Sequence, residues 1–321
     1  MIVSSNQLKA LIEEAKIEER NYNWEKAADL YEQVIKSFLE ENLLHKSAKI
    51  YDKLGFICLR AVYASETKEH YLNWNEQAVM AFQKAESLFD QTNEKLLSME
   101  CKAKALAQSC FVITSLEEAR KKIKKSVDIL LELIEEYSKA NDMKNCLRLS
   151  SVILEPMMVF MFICSIPSEL KYYSEKGCNL IEKAWMLLKE GNTMEIRTRL
   201  LYGEFILMFH MNRWTELTYG DKKQEKLNRR FLKRCEDTLK LAENSHDVIS
   251  DYILAEIYNA TGFIYCIFGS LFVEEIKERV KFAEKGFDLL EKSVVFYKNS
   301  RNICGAIDAI YSIDYHAGIF G

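Results

Sequence analysis

The chain has 321 residues, of which 49% are hydrophobic and 29% charged, with only 11 glycines and 2 prolines. So few turn-forming residues argue against an all-β or loop-rich fold and favour long, closely connected helices. The net charge of −4 gives no overall attraction to nucleic acid or an anionic membrane, so binding to either requires a local basic patch. Nine scattered cysteines without a CxxC pair indicate neither a disulfide framework nor a zinc site, and we expect a cytoplasmic protein.

The helical pattern predicts an all-α fold of six helix pairs in chain order. The pairs cover residues 4–41, 43–90, 94–139, 143–190, 193–244 and 246–297, and a closing helix covers 300–317. Asn23, Asn73 and Ser115 are predicted caps at helix starts, and Pro156 is expected to kink or shorten its helix. Because no Gly-, Ser- or Pro-rich linker divides the chain, we expect residues 1–321 to form one continuous solenoid domain.

A short packing motif repeats along the chain. EKGCNLIEKA, beginning at Glu175, returns as EKGFDLLEKS, beginning at Glu284. A small residue is followed by a bulky apolar one four positions later and a small or branched one seven positions later, so all three share one helix face. The small residue of the six copies is Ala27, Ala78, Ala119, Gly177, Cys235 and Gly286. It lets a neighbouring helix approach closely, so packing explains the repetition without any chemistry.

The paired helices resemble tetratricopeptide repeats. In that family a small residue on the first helix is followed twelve positions later by a small residue on the second, and the sequence matches this from Ala15 to Ala27 and from Ala107 to Ala119. In the other pairs the interval is longer, and the longer helices are also similar to the soluble attachment proteins of vesicle fusion. The resemblance implies a superhelix of antiparallel helix pairs with a concave surface that binds other proteins.

The resemblance also implies which residues line that surface, because the family binds partners with the first helix of each pair. They are Lys9, Lys16, Lys49, Asp52, Phe56, Arg60, Lys104, Gln108, Glu204 and Asn259. The carboxylate clamp that binds C-terminal tails in some family members is not reproduced, since Ile12 and Lys16 occupy its first pair of positions. We therefore expect a scaffold that binds an internal peptide, a helix or a folded protein.

Two other kinds of binding stay open. A basic stripe on one helix face consists of Lys226, Arg229, Arg230 and Lys233, and such a stripe suits nucleic acid or an anionic membrane unless neighbouring glutamates neutralise it. The unusually apolar segments 200–211 and 252–273 are suited to enclosing a small apolar ligand in a sensory module. Homodimer formation would bury the same apolar surface.

The sequence carries no motif for catalysis, a cofactor or a metal. No two histidines share the spacing of metal ligands, and neither a glycine-rich phosphate loop nor a nucleophile elbow occurs. Glu204 and His210 lie in apolar helical patterns, where a buried, hydrogen-bonded role is the expectation. Segment 252–273 has nearly the length of a membrane span, but Glu256 favours a helix buried within the protein. The insertion at 212–221 is a candidate functional loop.

Overall fold

The computed structural model describes residues 5–113, 115–188, 194–214, 222–244 and 249–320, in which every regular element is an α-helix. The helices are α1 Ser5–Arg20, α2 Trp24–Glu40, α3 Leu44–Tyr63, α4 Lys68–Gln91, α5 Lys95–Ser109, α6 Leu116–Lys139, α7 Met143–Val152, α8 Leu154–Ile163, α9 Pro167–Leu187, α10 Met194–Trp214, α11 Lys222–Glu243, α12 Asp251–Phe272, α13 Ile276–Asn299 and α14 Ile303–Phe320. The six predicted pairs and the closing helix are confirmed, with α7 and α8 together forming the first helix of the fourth pair. Most of the segment 212–221 and the side chain of His210 lie outside the described part of the chain.

The helices form two compact units. The first unit, Met1–Asn141, contains α1 to α6, and the second, Asp142–Gly321, contains α7 to α14. In the first unit each helix packs against the next one along the chain, from α1 to α6. In the second unit α12 packs against α10, α11, α13 and α14. The protein is a helical repeat protein, and within each unit helices that follow one another in the sequence pack together.

The repeated motif has the packing role that its spacing predicts. In the first unit the small residues Ala27 and Ala78 are fully buried, and the bulky residues that follow them, Tyr31 and Phe82, are each 2% exposed. Gly55 faces the ring of Phe82, and a Cβ at position 55 would lie 2.7 Å from Phe82 Cζ. Glycine therefore lets α3 and α4 approach each other at this point.

Five of the short connections between the described helices share one backbone conformation. The residues Tyr22, Asn42, Asn93, Asn141 and Arg301 all have positive φ, between 54° and 60°. At Asn93, for example, the N–H of Glu94 donates to the carbonyl of Phe89 at 2.9 Å, which is the long hydrogen bond of a Schellman motif. Asparagine is the residue after glycine that best tolerates this conformation, so these asparagines end helices without a glycine.

Two predicted helix caps differ from the structure, although α2 begins at Trp24 as predicted. The start predicted at residue 74 with Asn73 as its cap is wrong, because α4 begins at Lys68 and the Thr67 hydroxyl accepts the N–H of His70 at 3.2 Å. Asn23 precedes α2, but its side chain donates to Glu18 instead of capping the helix. A polar residue before an apolar pattern marks a helix start only where no better cap lies upstream.

Pro156 has the effect that the sequence predicts. Its ring nitrogen cannot donate to the carbonyl of Val152, and the helix is interrupted at Ile153, where α7 ends and α8 begins. The N–H of Met157 resumes the helical pattern by donating to Ile153 at 3.0 Å.

Within the described residues, two helical stretches are long and apolar enough to cross a membrane by length and composition alone: Met143–Ile163 and Asp251–Phe272. In the first, 61% of the apolar window is buried inside the protein, and in the second 78%. Protein neighbours therefore cover most of both stretches. In α12 the covering helices are α10, α11, α13 and α14.

Candidate partner-binding face

The first helices of the three pairs in the first unit are joined side by side through ion pairs. Lys53 on α3 contacts Glu19 on α1 at 2.6 Å, and Lys104 on α5 contacts Asp52 on α3 at 2.7 Å. We call the surface that carries Lys9, Lys16, Lys49, Asp52, Phe56, Arg60 and Lys104 the α1–α3–α5 face. The seven residues come from three separate helices, and the ion pairs fix those helices relative to one another.

Lys104 is an internal cation of this face. Its ammonium group is 2.7 Å from Asp52 and 2.9 Å from Glu100, and the side chain is only 20% exposed. Burial disfavours the charge on Lys104, but the carboxylates of Asp52 and Glu100 outweigh it and raise the pKa. Lys104 therefore stays charged and holds α5 against α3, and its charge is already satisfied within the protein.

Phe56 lies at the centre of the face. Its half-buried ring packs on the core of the first unit and is flanked by two cations, with Lys53 Nζ 5.3 Å and Arg60 Cζ 4.8 Å from the ring centroid. Such cation–π contacts hold the ring and the guanidinium in a defined arrangement. Aromatic residues and arginine are both enriched at the centre of protein interfaces.

The outer residues of the face are lysines. Lys9, Lys16 and Lys49 are exposed, and Lys16 pairs with Glu13 at 2.7 Å.

Gln108 differs from the other predicted residues, because it is only 7% exposed and donates to the side chain of Asn75 on α4. We therefore leave Gln108 out of the face.

Glu204 and Asn259 belong to the second unit and have internal roles there. Glu204 is 5% exposed, accepts the indole N–H of Trp185 at 2.9 Å and pairs with Arg234 at 2.6 Å. Burial raises the pKa of Glu204, while Arg234 opposes the rise. Asn259 is half-buried, and its amide donates to Tyr297 at 3.5 Å. The expected buried and paired role of Glu204 is confirmed, and its side chain offers little surface to a partner.

The basic stripe on α11 is exposed but partly neutralised. Arg229 pairs with Glu225 at 2.7 Å, and Arg230 pairs with Glu182 at 2.6 Å. The guanidinium of Arg229 also lies 4.9 Å from the centre of the Phe268 ring. Lys226 and Lys233 are exposed on the same helix, so the stripe presents a weaker positive field than four unpaired cations would.

Among the described residues, a chemical site would show as a group of metal ligands, a pocket or a reactive thiol. No group of three or more His, Cys, Asp and Glu side chains within them is placed to hold a metal ion. A shallow pocket of about 160 Å³ between α4, α5 and α6 is lined by Gln83, Glu86, Lys102, Ala105, Leu106, Ser109 and Lys122. Burial raises the pKa of Cys58 and of Cys266 to about 12, so both thiols stay protonated and inert.

His316 on α14 is a buried titratable group that sequence reasoning did not single out. It is 1% exposed, lies edge-on to Phe263 at 4.9 Å, and has no hydrogen-bond partner on either ring nitrogen among the described residues. Burial lowers its pKa from 6.5 to about 4. The imidazole is therefore neutral in the folded protein at pH 7.

We expect His316 to make the protein sensitive to acid. The pKa of His316 is lower in the folded than in the unfolded state. Above about pH 6.5 the neutral imidazole therefore makes its full contribution to the free energy of unfolding, and this contribution is lost as the pH drops towards about 4. The loss amounts to roughly 2–4 kcal/mol. In urea unfolding followed by circular dichroism, His316→Phe should lose this part of the pH dependence. The matched change of exposed His70 to Gln should keep it, and an unaltered profile for His316→Phe would refute the assignment.

No family model and no curated protein matches the sequence. Several solved structures are similar to it, and two of them match over most of its length. The crystal structure of the apo form of RapI has 13% sequence identity and a TM-score of 0.43, with 98% of each chain covered. A circular tandem repeat protein with novel repeat topology and enhanced subunit contact surfaces has 11% identity and a TM-score of 0.34, covering 98% of this chain and 77% of that one. Similarity at this level carries no information about the partner or activity of this chain.

Proposed function

We propose that the chain is a non-catalytic, tetratricopeptide-like interaction module of the cytoplasm, and that its α1–α3–α5 face binds another protein. The observation that carries the proposal is the half-exposed ring of Phe56, held between Lys53 and Arg60 at the centre of three linked helices. A rigid aromatic and arginine centre surrounded by polar groups is the arrangement of an interface hot spot. The ion pairs preorganise it, which reduces the entropy lost on binding.

The charges of the face indicate what kind of segment it accepts. Lys53 and Lys104 are engaged by carboxylates of the face itself, whereas Lys9 and Lys49 are exposed at its outer part. An internal peptide or helix fits best if it places an apolar side chain on Phe56 and acidic side chains towards the outer lysines. Because the outer contacts are exposed, we expect salt to weaken binding without abolishing it.

Replacing Phe56 and Arg60 together with Ala is expected to weaken partner binding by at least about tenfold, since each loses a contact at the centre of the interface. The measurement is quantitative affinity capture from lysate at low salt and at about 0.3 M salt, with nuclease treatment, read by mass spectrometry. Both residues are half-exposed, so the helical circular dichroism should be retained.

The matched control is Lys36→Ala, an exposed change on α2 that leaves the α1–α3–α5 face intact. A partner captured equally by the wild type, the control and the Phe56/Arg60 variant would exclude this face as the binding site. A partner lost on nuclease treatment would indicate binding through nucleic acid instead.

A further inference from the structure

The outer side of α14 is apolar, although it is exposed. Ile307, Ile310, Tyr311 and Tyr315 are 59%, 44%, 70% and 53% exposed, and their spacing places them along one side of the helix. The opposite side, which includes Ala309 and His316, is buried. We call the side that carries the four exposed residues the α14 outer face.

Among the side chains that the structure describes, no other helix exposes four large apolar residues along one side. In α2, every exposed residue from Glu25 to Lys36 is charged or polar. Single exposed apolar residues are common on protein surfaces, but four large ones on one helix side form a continuous patch, which marks an interaction site. Two of the four are tyrosines, a residue type enriched at the centre of interfaces.

The charge on α14 is of one sign. Asp308 and Asp314 are the only charged residues of the helix, and both are exposed. Asp314 follows Ile310 by four positions and Tyr311 by three, so its carboxylate lies within the apolar stripe and not beyond its edge. An interface that covers this stripe must also remove the Asp314 carboxylate from water, which is costly unless a cation comes with the partner.

A second copy of the chain is a poor occupant. Antiparallel pairing of two α14 helices about Tyr311 would bring Asp308 of one copy towards Asp314 of the other, and like charges across an interface oppose binding. We propose instead that the α14 outer face docks an amphipathic helix of another protein, in which a Lys or Arg within the apolar stripe pairs with Asp314. This is the helix-on-helix mode of recognition, with an ion pair setting partner choice.

The proposal can be tested with two synthetic amphipathic helical peptides that share a leucine and isoleucine stripe and differ at one position, which is Arg in one and Glu in the other. Binding is measured by fluorescence anisotropy at about 0.15 M salt, where exposed charges are already screened. We expect the Arg peptide to bind at least about tenfold tighter than the Glu peptide, the effect of one desolvated charge pair. Asp314→Lys should invert this preference, and Tyr311→Ser should weaken both peptides.

Glu40→Lys, a charge reversal of the same kind at an exposed position of α2, is the control and should leave the preference unchanged. Retained circular dichroism confirms that the variants fold, and Tyr315→Ser repeats the test of the apolar contact at a second position. Equal affinity for the two peptides, or no inversion by Asp314→Lys, would overturn the proposal. A dimer in light scattering that Tyr311→Ser dissociates would overturn it in favour of self-association.

Discussion

Arg234→Met is expected to destabilise the protein by about 3–5 kcal/mol, because it leaves the Glu204 carboxylate buried without its cation. Glu204 is 5% exposed, and among the described residues the indole N–H of Trp185 would remain as its hydrogen-bond donor. The carboxyl group would then take up a proton, so its folded pKa would rise further above that of the unfolded chain. The loss should therefore be greatest at neutral pH and shrink as the pH falls towards 4.5, the ordinary value for a glutamate.

Urea unfolding from pH 4.5 to 8 measures this effect. Arg229→Met, on the same helix, is the matched control, because its ion pair with Glu225 is exposed and contributes less than about 1 kcal/mol. Adding Glu204→Gln to Arg234→Met should restore most of the stability, since the amide needs no cation and still accepts from Trp185. A similar loss for both arginine variants, independent of pH, would contradict a buried ion pair.

Gly262→Ala is expected to destabilise the protein by about 1–3 kcal/mol, although alanine is the better helix former. A Cβ at position 262 would lie 2.7 Å from the carbonyl oxygen of Gly286 and 2.9 Å from the backbone nitrogen of Leu290. Both atoms belong to the backbone of α13, so α12 and α13 must move apart to admit the methyl group.

Gly318→Ala on α14 is the matched control, because a Cβ there would meet no atom within 4 Å. It should stabilise the protein by up to about 1 kcal/mol through helix propensity alone. The measurement is the shift in thermal unfolding of the two variants relative to the wild type. Equal shifts in the same direction would mean that α12 and α13 do not cross closely at these glycines.

The helix pairs could be predicted from the sequence because their packing rule is local. A small residue at Ala27 or Ala78 and a bulky one four positions later lie on one helix, and both are buried as expected. Helix boundaries were predicted less well, since Thr67 and Asn73 are both plausible caps and the structure uses Thr67, whose hydroxyl accepts the N–H of His70. The asparagines in the short connections each lie just after a helix, and an asparagine at this position indicates a helix end with positive φ.

The partners of charged and polar side chains could not be predicted, because they lie far away in the sequence. Glu204 follows the first-helix pattern of a groove residue, but its pairing with Arg234, 30 positions later, makes it internal. Gln108 donates a hydrogen bond to Asn75 on a different helix, and its burial could not be predicted because that partner is also far away in the sequence. Conversely, the link between Glu19 and Lys53 strengthens the α1–α3–α5 face, although neither residue stood out in the sequence.

The most direct test of the α1–α3–α5 face is to place a photo-activated crosslinking amino acid at position 49 on α3 or, as the control, at position 36 on α2. Both positions carry exposed lysines in the native chain, so neither change should disturb the fold. After irradiation in lysate at about 0.3 M salt, we predict one crosslinked protein partner from position 49 and none from position 36. The same products from both positions, or a partner from position 36 alone, would contradict the central claim that this face binds another protein.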